Sequence, residues 1–485
     1  HHRAKTMSNM VGPLAEVGQL DRAEALARSI TDPDSQAWAL SDLIGPLTEA
    51  GLPDRAEALA YSITDPDSQA WALSKLVGYL AKAGQLDRAE ALARSITDPQ
   101  KQASALSHLV GPLAEAGQLN HADQVARQAE ALTRAGTDVH NQAQELRNMA
   151  AALATAGQLD HATEVTQEAE ELARSITDPH NQAVALSNLA GVLAEIGQFD
   201  RAETLARSIT DSRNQAAALR NLAGVLAEIG QFDRAEALAR SITESRNQAA
   251  ALSDLVGPLA EVGQLDRAEG VARSISDLFV RSWALSSLIG PLAKAGNLNH
   301  ANQVARQAEA LACFIADQDM QAVALSHMAA ALATVGQPDH ADHALQQAEA
   351  LARSITDPDN RAAAQSNLVS VLAEIGQFDR AETLARSITD LFVQSWSLSS
   401  LVSHLAKAGQ IERAEELTHS TTNAVVAAEA IGEIAPYTSK HKSRKLLTWA
   451  LSKFRSDTLL VNIAKVEPSA ILRIAGITTR TADKK

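Results

Sequence analysis

The sequence is poor in cysteine and in aromatic residues, and it contains no long apolar run. Among its 485 residues there is one cysteine, Cys313, so no internal disulfide framework exists, which fits a reducing compartment. Neither an uncharged apolar stretch of about 18 residues nor the pattern of a signal peptide is visible. We therefore expect a soluble, cytoplasmic protein without a membrane partner.

Motifs that carry chemistry are also missing. No G-x-x-x-x-G-K-[ST] phosphate-binding loop occurs, and no catalytic signature surrounds Cys313. His340 and His343 lie one helical turn apart, but no cysteine or further histidine completes a zinc set. An enzyme would need a non-repeating polar cluster, and none stands out because most carboxylates recur at positions expected to face solvent. We expect no enzyme, no cofactor and no metal.

Charge is distributed unevenly along the chain. The net charge is −15 overall, but it is +8 from Tyr437 to Lys485 and −23 over residues 1–436. An acidic array is poorly suited to phosphate backbones, so nucleic acid is an unlikely partner on this ground. Recognition of single-stranded RNA remains the alternative function, because helical hairpin repeats of similar length also bind RNA. We expect the basic tail to pack against the last repeat.

One sequence pattern is repeated twelve times and is marked by a glycine that recurs every 33 or 40 residues. These marker glycines are Gly18, Gly51, Gly84, Gly117, Gly157, Gly197, Gly230, Gly263, Gly296, Gly336, Gly376 and Gly409. A fixed period of this size indicates stacked helical hairpins. We predict an all-α fold, a right-handed α-solenoid of about twelve helix-turn-helix repeats over residues 1–420. A basic helical C-terminal cap is expected over residues 421–485.

The second repeat illustrates the unit, which we call helix A, turn, helix B, turn. Its first apolar stripe is Ala37, Leu40, Leu43, Ile44 and Leu47. Gly51 predicts the end of helix A, Asp54 the N-cap of helix B, and Pro66 the start of the next helix A. No strand period appears.

Four repeats are seven residues longer than the others, and the extra residues lie within helix B. Seven residues are about two turns, so helix B keeps its apolar face as it lengthens. Each long unit has a histidine after the predicted N-cap, namely His121, His161, His300 and His340. Pairs of long units recur 179 residues apart, which indicates duplication of a five-repeat block.

The glycine, the small residue five places later and the proline near the end of the unit resemble tetratricopeptide repeats over about residues 1–420. The second repeat departs from that family at Ile44, where a small residue is usual, and at Leu47, where tyrosine is usual. Such arrays resemble the C-terminal sensor halves of STAND-type signalling NTPases, and the tail from Leu446 to Leu472 is similar to their helical end. Because His1–Ala4 matches His180–Ala183, we expect the chain to be a fragment that lacks an N-terminal region.

The tetratricopeptide resemblance implies that the A helices line a concave groove. Groove positions would then include those ten and nine residues before each marker glycine, which hold mostly small or hydrogen-bonding residues. Among them, the candidate partner-binding residues are Arg147, Asn148, Asn188, Arg220 and Asn221. Such a groove suits a protein or peptide contacted through many polar bonds.

Four of the five tryptophans occupy one repeat position, thirteen residues before the glycine. They are Trp38, Trp71, Trp283 and Trp396. Tryptophan dominates binding hot spots, so these residues are candidate anchors for a partner. The alternative is that each fills a gap against the preceding helix B, where Phe279 and Phe392 would supply apolar lining.

Five A helices contain a Gly-Pro pair, at Pro13, Pro46, Pro112, Pro258 and Pro291. Proline removes a backbone hydrogen bond and kinks a helix. The kinks would either curve the solenoid or let a ligand approach the backbone. Taken together, the sequence predicts a non-catalytic interaction scaffold or ligand-sensing domain, part of a larger regulatory protein.

Overall fold

The computed structural model describes residues 2–453 except 17, 421–422, 435–436 and 439, and within these residues it contains helices and no strands. The described chain forms two compact units, the first ending at Val225 and the second beginning at Leu226. Helices of the first unit are α1 (His2–Glu16), α2 (Leu20–Arg28), α3 (Pro33–Asp42), α4 (Ile44–Glu49), α5 (Pro53–Tyr61), α6 (Pro66–Lys82), α7 (Leu86–Ser95), α8 (Pro99–Glu115), α9 (Leu119–Arg134), α10 (Val139–Thr155), α11 (Leu159–Ser175), α12 (Pro179–Glu195) and α13 (Phe199–Arg207). The division falls within α14 (Ser212–Glu228).

The second unit continues in the same order of A and B helices. Its helices are α15 (Phe232–Ser241), α16 (Ser245–Glu261), α17 (Leu265–Ser274), α18 (Leu278–Lys294), α19 (Leu298–Ala312), α20 (Gln318–Thr334), α21 (Pro338–Ser354), α22 (Pro358–Glu374), α23 (Phe378–Ser387), α24 (Leu391–Lys407), α25 (Ile411–Ser420), α26 (Ala424–Ile434) and α27 (Lys440–Lys453). Within each unit, a helix A packs on its own helix B and on the next helix A, as α6 does on α7 and α8. The predicted all-α solenoid of helical hairpins is confirmed.

The marker glycines end helix A as predicted. All twelve have positive φ angles, between 72° and 82°, a conformation that glycine adopts without steric cost. At Gly84 the backbone N–H donates to Ala81 O at 3.0 Å, and the N–H of Gln85 donates to Leu80 O at 2.9 Å. These two bonds form a Schellman motif, which satisfies the last carbonyls of the helix.

The predicted N-cap of helix B is wrong. Helix α5 begins at Pro53, and its cap position is Leu52, which makes no side-chain cap bond, so Asp54 lies in the first turn. The capping aspartate acts instead at helix A, where Asp65 accepts a bond of 2.8 Å from the N–H of Ser68. Pro66 is the first residue of α6, as predicted.

In most repeats a glutamine of helix A donates hydrogen bonds to the carbonyl groups at the end of the preceding helix B. Gln69 Nε2 donates to the carbonyls of Tyr61 at 3.1 Å and Ile63 at 2.9 Å, at the C-terminal end of α5. Arg281 and Arg361 replace the glutamine in two repeats and donate to the equivalent isoleucine carbonyls. These side chains satisfy carbonyls that have no partner within helix B.

Small residues let the helices of a hairpin approach closely. In α7, Ala89 and Ala93 are fully buried, opposite Leu76 and Leu80 of α6, which are also fully buried. The long repeats extend helix B as predicted, because α9, α11, α19 and α21 have 15 to 17 residues where the other B helices have nine or ten.

The expectation that most carboxylates face solvent is wrong for one repeat position on helix B. Glu24, Glu90, Glu130, Glu269 and Glu349 occupy this position and are buried. Each lies between an arginine of its own helix and an arginine or histidine of the next repeat. Glu90, for example, is 2.6 Å from Arg94 Nη2 and 3.0 Å from His121 Nε2. We call this series of contacts the inter-repeat ladder.

The Gly-Pro pairs differ in their effect on helix A. Helices α1, α8, α16 and α18 continue through their prolines, whereas Pro46 follows an interruption at Leu43 that separates α3 from α4. In that repeat Gly45 lies under the ring of Tyr79, and a Cβ added to Gly45 would be 2.6 Å from Tyr79 Cζ. The close approach of Tyr79 therefore needs glycine at this position.

In the described part of the chain, two helices follow the last hairpin. Helix α26 packs on α24 and α25, and α27 packs on α26. Lys442 of α27 pairs with Glu412 of α25 at 3.2 Å. The described part of the expected cap, up to Lys453, contains these two helices, while the tail from Phe454 to Leu472 lies outside the described residues. No described helix combines the length and apolar character needed to cross a membrane.

Candidate partner-binding surface

Trp38 and Trp71 lie together in the first unit, in successive A helices. Their ring centroids are 5.2 Å apart with an interplanar angle of 56°, and Trp38 is 60% exposed. The Lys75 ammonium lies 4.5 Å from the centroid of the Trp71 ring, and it is 3.8 Å from Asp42 Oδ1. Burial raises the pKa of Asp42, and Lys75 lowers it in part.

These two rings form one wall of a pocket of about 450 Å³. Its lining comes from helix A of three successive repeats and comprises Ala37, Trp38, Ser41, Asp67, Ser68, Trp71, Asp98, Gln100 and Lys101. We call it the tryptophan pocket. It combines two indole rings with two carboxylates, which gives an apolar wall and polar groups that orient a ligand.

Trp283 and Trp396 lie in the second unit, each beside a phenylalanine. Phe279 and Trp283 have ring centroids 6.2 Å apart, and Phe392 and Trp396 have theirs 6.1 Å apart. Phe279 and Phe392 belong to the first turn of the same helix A, not to the preceding helix B as the sequence suggested. Trp283 is 38% exposed and Trp396 is 40% exposed, so neither ring is fully covered by packing.

A histidine from the next repeat completes the aromatic group around Trp283. The rings of Trp283 and His327 have centroids 3.6 Å apart. His327 lies nine residues before its marker glycine, at one of the predicted groove positions. Burial lowers the pKa of His327, so the neutral imidazole is the form favoured beside Trp283.

The serines ten residues before the glycine do not lie on this surface in most repeats. Six of them are buried, namely Ser41, Ser74, Ser107, Ser286, Ser326 and Ser399. Ser107 Oγ donates to Ala103 O at 2.9 Å, and Ser326 Oγ donates to Ala322 O at 2.7 Å. The hydroxyls of Ser107 and Ser326 are therefore satisfied by their own helices, and their burial does not fit the predicted groove rim. Ser41 differs, because it lines the tryptophan pocket and its Oγ atom has no hydrogen-bond partner among the described residues.

The predicted arginines and asparagines are more accessible. Arg147, Asn148, Asn188 and Arg220 are half-buried, and Asn221 is exposed. Asn148 Oδ1 accepts a bond of 3.3 Å from Gln144, and Asn221 Nδ2 donates to Ser187 Oγ at 3.5 Å. The Arg147 Nε atom is buried and has no hydrogen-bond partner among the described residues.

Sequence reasoning missed Glu145, which lies two residues before Arg147 in α10. The equivalent position holds alanine in nine repeats, and Ala39, Ala72 and Ala105 there are fully buried. Burial raises the pKa of the Glu145 carboxyl, and Lys101 lowers it in part. Its Oε2 atom has no hydrogen-bond partner among the described residues. The signal that could have revealed it is a departure from alanine at a repeat position.

A second pocket, of about 480 Å³, lies between α16 and α18 in the second unit. It is lined by Gly257, Ala260, Glu261, Gly263, Leu265, Ser287, Leu288, Pro291, Lys294 and Ala295. Gly257 and Pro291 belong to Gly-Pro pairs, and no heavy atom lies within 4 Å of a Cβ built on Gly257. The backbone of α16 is therefore open to a ligand at this point. The described residues hold no group of three or more His, Cys, Asp or Glu side chains arranged to bind a metal.

Comparisons with known proteins add the following. Neither a family model nor a curated protein sequence matches the chain. Among solved structures, yeast Tom70 is similar with a TM-score of 0.33 and 12% identity, over 92% of this chain and 100% of that one. Ton1535 from Thermococcus onnurineus NA1 is similar with a TM-score of 0.29 and 18% identity, over 74% and 97%. The apo quorum sensor NprR from B. thuringiensis has a TM-score of 0.27 and 10% identity, over 73% and 99%.

Proposed function

We propose that this chain is a non-catalytic interaction scaffold, which binds a protein or peptide through its A helices. The observation that supports this most directly is the exposure of its scarce tryptophans. Aromatic residues are 3% of the chain, yet three tryptophans at one repeat position are 38% to 60% exposed. The same position holds Ser104, Ala217 and Ala250 in other repeats, so tryptophan is not required by the hairpin.

Several properties of tryptophan make these positions suitable for binding. An indole ring buries a large area when a partner covers it, and few rotatable bonds are lost in doing so. Each of these rings is already held by another ring, at 5.2 Å, 6.1 Å or 6.2 Å between centroids. A side chain that is fixed before binding loses less entropy when the partner arrives.

Polar groups on other A helices would provide the specificity of the proposed surface. In α10, Glu145 and Arg147 each carry a buried polar atom without a hydrogen-bond partner among the described residues. Such atoms are costly in a free protein and gain most from a partner that supplies the missing bonds. Asn148, Asn188, Arg220 and Asn221 would add further polar contacts to the same partner.

We also propose that the chain belongs to a cytoplasmic regulatory protein, as the likeness to STAND-type sensor regions suggests. The partner would then be the ligand of that regulatory protein or its downstream protein. Recognition of RNA is the less favoured function, because Asp67 and Asp98 line the tryptophan pocket and Glu145 lies near Lys101. Carboxylates at these places repel phosphates.

The experiment is affinity capture from host lysate with the purified chain. A variant with Trp38, Trp71, Trp283 and Trp396 changed to Ala is compared with a control in which Leu119, Val262, Leu298 and Phe314 are changed to Ala. The control residues are 50% to 74% exposed but lie at the start of helix B, at the turn after helix A or after helix B. We expect a protein that is captured by the parent and the control and lost with the tryptophan variant.

Circular dichroism establishes that both variants keep their helices. Equal capture by the parent and a folded tryptophan variant would contradict the proposal. If the fourfold variant unfolds, the single changes at Trp38 and Trp396 are tested in its place, because these rings are 60% and 40% exposed. Enrichment of RNA in place of protein would favour the alternative function.

A further inference from the structure

We propose that the tryptophan pocket binds a positively charged side chain, the guanidinium of an arginine in the partner polypeptide. This inference depends on the proposed function, because it names the chemistry of one anchor on that surface. Four observations support it: the two indole faces, the cation that one of them already holds, the carboxylates in the lining, and the state of the nearby helix N-termini.

Two indole rings line the pocket, and their faces can attract a cation. The face of an indole ring carries negative charge density, and a cation within about 6 Å of its centroid is attracted. Trp38 and Trp71 are tilted by 56° with centroids 5.2 Å apart, and Trp38 is 60% exposed. A planar guanidinium can stack on such a face while its N–H groups point to carboxylates, which an ammonium does less well.

Lys75 shows within the protein that this chemistry operates here. Its ammonium is 4.5 Å from the Trp71 centroid and 3.8 Å from Asp42 Oδ1, so it contacts both an indole face and a carboxylate. An arginine between Trp38, Asp67 and Asp98 would have the same combination of contacts, with the ring of Trp38 in place of the ring of Trp71. The pocket volume of about 450 Å³ accommodates such a side chain.

The charges of the lining favour a cation over an anion. Asp67 and Asp98 contribute two carboxylates, and the chain as a whole has a net charge of −15. Lys101 also lines the pocket, so the lining holds two carboxylates and one ammonium, and the Glu145 carboxyl of the next helix A interacts electrostatically with Lys101. A basic partner segment therefore complements both the pocket and the protein around it.

Helix N-termini close to the pocket would normally attract an anion, but their donors are already used. The N–H of Ser68 in α6 donates to Asp65 at 2.8 Å, and the N–H of Lys101 in α8 donates to Asp98 at 2.7 Å. These capping carboxylates also offset the positive ends of the two helix dipoles. An anionic ligand would have to compete with both caps.

The test uses the full chain labelled with 5-fluorotryptophan, with each 19F signal assigned by a single Trp→Phe variant. Three blocked tripeptides are titrated, acetyl-Gly-Arg-Gly-amide, its neutral citrulline isostere and acetyl-Gly-Glu-Gly-amide. We expect the arginine peptide to shift the Trp38 and Trp71 signals saturably and to leave Trp283 and Trp396 unchanged. Its affinity should exceed that of the citrulline peptide by about tenfold.

The variant Asp67→Asn/Asp98→Asn isolates the carboxylates, and the asparagine introduced at 98 can still cap α8. We expect this variant to lose about tenfold in arginine affinity, with no change for citrulline. Equal binding of arginine and citrulline, tighter binding of the glutamate peptide, or no saturable shift with any peptide would each overturn the proposal. A shift of the free protein on dilution would also overturn it, since a second copy would then occupy the pocket.

Affinity capture with the two variants distinguishes an error in the cation chemistry from an error in the proposed function. If the captured protein is lost with the fourfold tryptophan variant but retained by Asp67→Asn/Asp98→Asn, the surface is correct and the cation chemistry is wrong. If the folded tryptophan variant retains it, the proposed function itself is wrong.

Discussion

The Nε2 atom of His161 lies 2.5 Å from Oε1 of Glu130, and both side chains are buried between α9 and α11. The Nδ1 atom of the same ring is 2.7 Å from Asp123 Oδ1, in an ion-pair contact. In most other repeats an arginine occupies this place in the inter-repeat ladder. At the junction of these two long helices the ladder therefore depends on a titratable group.

The pH dependence of this junction follows from the His161 pKa. The hydrogen bond with Glu130 raises that pKa, whereas burial lowers it in part. The negative charges of Glu130 and Asp123 raise the pKa further, and the positive charge of Arg127 lowers it. A raised native-state pKa means that the contribution to stability is complete below about pH 6.5, the ordinary value for histidine, and is lost as pH rises through the native value. His161→Gln should lower the urea midpoint clearly at pH 6 and much less at pH 9.

The matched control for that change is His161→Arg, which restores the residue used in other repeats. The difference between the urea midpoints of this variant and the parent should be more positive at pH 9 than at pH 6, because arginine keeps its charge over this range. An effect of His161→Gln that is equal at both pH values would show that His161 contributes by packing alone.

Glu145→Ala should stabilise the protein. The substitution removes a carboxyl whose pKa is raised by burial, and it introduces the residue that nine other repeats have at this position. We expect a gain of about 1 kcal/mol in the free energy of unfolding at pH 8. Because a raised carboxyl pKa favours the native state at low pH, the gain should shrink as pH falls toward 5. Chemical denaturation at the two pH values measures this, and a loss of stability at pH 8 would contradict it.

The contact of Tyr79 with Gly45 makes two similar glycines behave differently. Gly78→Ala meets no heavy atom within 4 Å, so the better helix propensity of alanine should add about 1 kcal/mol of stability. Gly45→Ala should not give this gain, because its Cβ would be 2.6 Å from the Tyr79 ring, which must move. In a Tyr79→Ala background the difference between the two changes should become smaller, and what remains is due to Pro46, which disfavours a helical residue before it. An undiminished difference in that background would exclude Tyr79 as a cause.

The features that were predictable from the sequence are those set by neighbours along the chain. Gly84 follows alanine and leucine residues of a helical stripe, so the sequence alone indicates that the helix ends there. Its φ of 73° is one that glycine adopts without strain. The length of α11 follows in the same way, since seven residues preserve the apolar face of helix B. The position of Pro66 at the start of α6 also depends on local backbone geometry alone.

Contacts between repeats were harder to predict, because periodicity alone does not tell which residues of two helices meet. The buried place of Glu90 depends on Arg94 four residues away and on His121, which is 31 residues away and reaches it only once the hairpins stack. Asp54 is of a residue type that is preferred at N-caps, but it forms an ion pair with Arg88 of the next repeat. In both cases a tertiary partner took precedence over a local preference.

The recurrence of Trp38 and Trp71 at one repeat position marked them as candidate anchors, but it did not show that their two rings meet. Lys75, four residues after Trp71, was visible as a helical neighbour but not as a cation over its ring. Glu145 was overlooked because it has the appearance of an ordinary surface glutamate until its repeat position is compared with alanine.

Site-specific photo-crosslinking in host lysate tests whether the A helices form the binding surface. The residue p-benzoylphenylalanine is introduced at Trp71 or Trp283 on the A helices, and at Leu119 or Phe314 as controls outside them. We expect a crosslinked protein at Trp71, at Trp283 or at both, and none at the two control positions. A protein crosslinked at Leu119 or Phe314 and at neither tryptophan position would contradict the claim that the A helices form the binding surface.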